Sequence, residues 1–256
     1  MRPGAPLLLA ALLSAAAAAR AEPAMVVVTA GPQVGFRKVT WRDRVSPTLA
    51  GYQSGTLALI GISAEVYLAS GKGLPVVSDV GLVGSVARSL RAHDEGPPGT
   101  TGFESLWHVW DLGGRWRAVF GGTEWGGVSL RYGSTGWSFN GDRPQGSLLP
   151  SGTLQYWRPG LDLRLPIGPV ALALSGGFRA VVVPDAIGRA FPRRTGGGVD
   201  AELSATLDLG PRLQLRLAGR YARFYSSLNP MPGDRWIAGG VLDEQAVLDL
   251  TCAARL

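Results

Sequence analysis

From Val199 to Leu209 every second residue is apolar: Val199, Ala201, Leu203, Ala205, Leu207 and Leu209. Every residue between them is polar: Asp200, Glu202, Ser204, Thr206 and Asp208. A strand turns successive side chains to opposite faces, so this run reads as a long strand with one apolar and one charged face. After Gly210-Pro211 the pattern resumes. Leu213, Leu215, Leu217, Gly219 and Tyr221 share one face, and Arg212, Gln214, Arg216, Ala218 and Arg220 share the other. Leu209 and Leu213 must lie on the same face, which requires a loop with an odd number of residues. Taking Gly210, Pro211 and Arg212 as that loop places Glu202 opposite Arg220, Thr206 opposite Arg216 and Leu203 opposite Gly219. The last segment alternates in the same way, with Ala246, Leu248, Leu250, Cys252, Ala254 and Leu256 interleaved with Gln245, Val247, Asp249, Thr251, Ala253 and Arg255.

A soluble sandwich also alternates, but its strands are typically about five or six residues long. Here the runs reach ten or more, and charges recur in the middle of the polar face, as in a narrow polar lumen. The connections alternate between tight turns (Ser70–Leu74, Leu112–Gly114, Pro166–Pro169, Gly210–Arg212) and long polar loops (about 42–51, 92–102, 136–151, 184–197 and 226–243). Strands are expected near 25–40, 53–69, 75–91, 103–111, 115–135, 152–165, 169–183, 198–209, 212–225 and 244–256. That is about ten, with twelve or eight as alternatives, because Gly121-Gly122 and Gly126-Gly127 read either as bulges or as turns. Pro32 calls for a bulge in the first strand, since a closed barrel has no edge to hold it. Trp116, Trp157, Tyr221 and Tyr225 fall near strand ends, as aromatic girdles do. The expected fold is all-β: a single antiparallel up-and-down transmembrane barrel.

Arg2, the Leu/Ala run from Pro6 to Ala19, and Ala19-Arg20-Ala21 form the pattern of a cleaved export signal, predicted as residues 1–21, with the barrel over 22–256. The 25 Lys and Arg less Arg2 and Arg20 leave 23 against 19 acids, a scattered +4 that gives no sign of nucleic-acid binding. One cysteine permits no internal disulfide. The 37 glycines are about double the usual share, and no run of eighteen apolar residues follows the signal. Strands that must cross a bilayer have to close on themselves.

The signal, the alternating strands and the strand at the C-terminus resemble the outer-membrane β-barrel superfamily. The segment Arg223-Phe224-Tyr225, Leu228-Asn229-Pro230, Pro232-Gly233-Asp234-Arg235-Trp236 and Ala238-Gly239-Gly240 resembles barrel domains of myxobacterial envelope proteins. The resemblance implies an outer-membrane location in a Gram-negative envelope and insertion by the barrel-assembly machinery. It departs in ending on Leu256 where such barrels usually end on an aromatic residue.

His93 and His108 are the only imidazoles. With Trp107 and Val109 facing lipid, Glu104 and His108 are expected to point inward, about 13 Å apart along the strand, with no G-x-S-x-G motif near them. Two histidines and one cysteine make no zinc set, and Ser70-Gly71-Lys72-Gly73 lacks the spacing of a phosphate loop, so no catalytic, metal or cofactor residue is assigned. The lumen is expected to hold an ion-pair network of Asp200, Glu202, Asp208, Arg216, Arg220, Asp249 and Arg255, joined by Asp162, Arg164 and Arg179. Arg42, Arg44, Arg88 and Arg91 cluster near the long-loop end, where lipopolysaccharide phosphates are candidate partners. The expected function is a structural or adhesion-type barrel with long external loops. The alternatives are a narrow passive pore with weak anion preference and a lipid-modifying barrel enzyme.

Overall fold

The computed structural model describes residues 24–49, 51–68, 79–94, 103–140 and 151–256. The expected export signal over 1–21, the turn at Ser70–Leu74 and most of loops 92–102 and 136–151 lie outside them. The elements run β1 (Val26–Arg42), β2 (Tyr52–Gln53), β3 (Leu57–Val66), β4 (Val80–Ser89), β5 (Ala92–Asp94), β6 (Phe103–Phe120), β7 (Thr123–Asn140), β8 (Gly152–Ile167), β9 (Val170–Val183), α1 (Ala186–Ala190), β10 (Thr195–Asp208), β11 (Leu213–Ser227) and β12 (Gly240–Arg255). Ten of the strands are long. Each pairs antiparallel with its neighbours in chain order, while β2 and β5 add short pairings to β1 and β6. The tenth long strand returns to the first, from Val27↔Arg255 to Arg42↔Gly240. With that seam closed, each of the ten long strands among the described residues is paired on both sides.

The β10–β11 hairpin has the register that the alternation requires. Glu202 faces Arg220, Thr206 faces Arg216 and Leu203 faces Gly219. The loop of Gly210, Pro211 and Arg212 is closed by Leu209 N–H donating to Leu213 O at 2.9 Å. Outward-facing residues form a continuous apolar surface that includes Ile60, Leu82, Leu112, Leu130, Leu163, Leu174, Leu203, Leu217 and Leu250, each 49% exposed or more. Water would not leave such a belt uncovered, whereas hydrocarbon covers it without cost. On β1 the outward row is apolar from Val26 to Phe36. At about 3.3 Å per residue and a tilt near 40°, that spans roughly 25 Å.

Three expectations are corrected. The turn expected at Leu112–Gly114 is absent, and β6 runs through it. Gly113 is there because a Cβ would stand 2.1 Å from Leu130 O on β7, a close approach of two backbones rather than a turn. The turn lies at Gly121 and Gly122, whose φ of 58° and 75° suit a two-residue hairpin between the paired Phe120 and Thr123. One turn replaces another, so the count of ten stands. Second, Pro32 is held without a bulge. The ladder to β12 skips Gly31 and Pro32 and resumes at Gln33↔Asp249 in the same register, so the missing donor costs a rung but adds no residue. Third, Trp107 faces inward, 2% exposed, and Glu104 and His108 face outward. Apolar residues mark the lipid side only where the lumen beside them is polar, and at this level it is not.

Candidate functional site

The lumen is layered. At the long-loop end, inward residues of the wall (Val39, Leu57, Leu59, Trp107, Trp137, Phe139, Val241) pack on residues that the loops fold into the mouth: Leu49, Tyr52, Ile187, Phe191, Leu228 and Ala238. Trp107 and Trp137 stack with centroids 4.8 Å apart, and Tyr52 meets Phe139 edge-on at 4.8 Å. The helix α1 that carries Ile187 starts at Asp185, whose side chain accepts the Gly188 N–H at 3.0 Å. Asp185 is 6% exposed, and burial pushes its carboxyl above the usual carboxylate range. The loop before β10 and the loop after β11 are pinned together by an Arg193–Asp234 ion pair. Asp234, exposed, is held below its usual range by the Met231 N–H and by Arg193.

Beneath this plug lies a chamber of about 710 Å³ that reaches the short-turn end at Gly122, Gly168 and Asp208. Nine arginines and eight carboxylates line it. Arginine outnumbers carboxylate by one, a small excess in the direction of the expected weak anion preference. The charges are sorted into clusters, each built by register. Arg216 bonds Glu202 through one Nη and Asp249 through the other at 3.2 Å. Arg220 lies 3.0 Å from Asp249 and 3.8 Å from Glu202, so Glu202 is held by the diagonal arginine more closely than by its direct cross-strand partner. Asp200 accepts from Arg158 at 2.5 Å and Arg179 at 2.8 Å. Asp208 accepts from Gln214 at 2.5 Å near the short-turn end, where Arg164 and Arg255 also line the wall.

A further hub escaped the sequence reading. Arg115, 8% exposed, donates to Glu65 (3.1 Å), Tyr67 (2.8 Å), Glu124 (2.6 Å) and Asp162 (2.6 Å). Glu124 reaches it because of a bulge. Ala118 pairs with Gly126 but Val119 with Glu124, and the extra Trp125 switches which parity of β7 faces inward. Arg117, one pleat further, lies over the Tyr67 ring at 3.4 Å. The Arg-Trp-Arg alternation of 115–117 was a legible sign, hidden by the turn expected just before it. Arg37, 3% exposed, forms a two-pronged pair with Asp243 at 3.0 and 2.6 Å under the plug.

The arginines at the long-loop end are not one cluster. Arg42 is exposed beside Asp43 at 3.4 Å, and Arg44 donates to Leu49 O at 2.8 Å. Arg91 is exposed, 3.6 Å from Glu104. Arg88 faces outward as the register partner of His108, whose ring lies over Gly136. Glu104 and His108 thus sit on the outer surface and not in the chamber.

No protein-family model matches the sequence, and no curated protein does. Among solved structures, similarity is found to outer-membrane proteins. The outer membrane protease OmpT from Escherichia coli aligns with a TM-score of 0.51 at 13% identity, over 90% of this chain and 96% of that one. The translocator domain of the autotransporter NalP from Neisseria meningitidis aligns at 0.42 and 12% identity, over 98% and 96%. Ail, the attachment invasion locus protein of Yersinia pestis, aligns at 0.32 and 9%, over 91% and 100%. At 13% identity the likeness to OmpT is one of fold.

Proposed function

We propose that this chain is a closed, non-conducting outer-membrane barrel with a structural or adhesion role, acting through its external loops and outer surface. The apolar plug carries this reading. Loop residues from three separate connections (Leu49, Ile187 with Phe191, and Leu228 with Ala238) are buried in the outer mouth. A pore would need that layer polar and open. Several of the ion pairs below it, Arg216–Glu202, Arg158–Asp200, Arg115–Asp162 and Arg37–Asp243 among them, hold their partners at hydrogen-bond distance, as a structural network does. A catalytic role for His108 is not supported, since it faces the lipid belt. The test is electrical recording on purified protein in planar bilayers. No discrete conductance steps are expected from the wild type, and regular steps would establish the narrow pore instead.

A further inference from the structure

On the outer surface the apolar belt ends at one row across three adjacent strands. Lys38 on β1 pairs in register with Glu244 on β12, which pairs with Arg223 on β11. All three side chains point outward, with about 10 Å between the backbones of the two cations. Among the described residues neither Lys38 nor Arg223 forms an ion pair. The Glu244 carboxylate instead accepts the Tyr221 hydroxyl.

Directly beneath, about 7 Å towards the membrane centre, is an outward groove of about 390 Å³. Its floor is small, Gly219 and Ala246, and its rims are Phe36, Leu203, Tyr221 and Leu248. A Cβ on Gly219 would meet nothing within 4 Å. Two unpaired cations thus stand at the head of an apolar trough, on the side of the long loops that such barrels turn outward.

We propose that this surface seats one phosphorylated, multiply acylated lipid of the external leaflet, lipid A, with a phosphate at Lys38 and Arg223 and an acyl chain lying over Gly219. Charge complementarity selects a phosphate, because Glu244 is occupied by Tyr221 and the row keeps a net positive charge. The seat depends on the belt and not on the plug, so a conducting barrel would leave it intact.

Native mass spectrometry of the detergent-solubilised protein with added hexa-acylated lipid A tests it. One lipid A per barrel is expected to be retained. Lys38→Gln with Arg223→Gln should weaken retention about thirtyfold, taking the two cations together as about 2 kcal/mol. Gly219→Leu, whose Cβ would meet nothing within 4 Å and whose side chain would project into the trough, should weaken it about tenfold. Heat-dependent gel mobility confirms that both variants fold. Unchanged retention in either folded variant overturns the proposal. So does equally tight retention of dephosphorylated lipid A, phosphatidylethanolamine or phosphatidylglycerol.

Discussion

At the scale of single residues, position in the register decides what a charge is worth. Glu202 and Arg216 are hydrogen-bonded, whereas Arg220 reaches Glu202 only at 3.8 Å. A double-mutant cycle of Glu202→Gln and Arg216→Met is therefore expected to show coupling of about 1.5–3 kcal/mol. The cycle of Glu202→Gln with Arg220→Met should stay below about 1 kcal/mol. Chemical denaturation of the refolded barrel measures both, and equal couplings would contradict the geometry. Asp185 makes an opposite kind of point. Its folded pKa is raised by burial, so the folded loop binds a proton more readily than the unfolded chain, and ionisation costs stability as pH rises through the folded value. Asparagine keeps the helix cap without the charge. Asp185→Asn should thus match or exceed the wild type in thermal stability at pH 7 and lose that advantage below about pH 4. Asp185→Ala should cost about 1 kcal/mol at either pH, from the lost cap. Cys252, the only cysteine, lies outward between Leu250 and Ala254, register partner of Ala30 and Leu215. In bilayers it should resist a charged maleimide and react once the protein is denatured. Rapid labelling in bilayers would place that face in water.

At the scale of elements, glycines do two different jobs that a sequence writes with one letter. Gly113 admits the backbone of β7, while Gly121 takes a left-handed turn conformation in open space. Gly113→Ala should cost about 3 kcal/mol or more, since Leu130 O cannot yield without parting the ladder. Gly121→Ala should cost only about 1–2 kcal/mol, the strain of a positive φ. Reversed magnitudes in urea unfolding would show that the turn and the close approach had been exchanged. The same ambiguity explains how much was legible beforehand. The register of the β10–β11 hairpin and the facing of β12 could be read to the residue, though not the strand ends, because apolar and charged residues lie on opposite faces from the short turns up to Tyr221 and Ala246. The β6–β7 region could not. There, paired glycines stand in both a strand and a turn, a bulge reverses the inward parity, and the plug makes the inner face apolar beside Trp107. The lumen charges on β10, β11 and β12 were visible for the same reason as their strands. The Arg115 hub was hidden with its strand, since its four partners come from β3, the residue that follows it, β7 and β8.

At the scale of the whole molecule, the layered lumen divides labour along the barrel axis. The plug packs the mouth at the long-loop end, the paired charges brace the wall, and the aromatic row Trp110, Tyr132 and Trp157, with centroids 5.8 and 5.1 Å apart, marks the belt's margin on that side. All of this is held by a seam that joins Val27 to Arg255, residues near the two ends of the chain. A ribosome adding about 5–20 residues per second puts roughly 10–50 s between making one side of that seam and the other. Through that interval β1 has a partner only on one side, and a bare strand edge is the template on which chains join one another. The closed barrel therefore imposes a waiting time on its own first strand. Closure of the barrel is thus the last pairing that the chain can make, and it cannot precede the synthesis of β12.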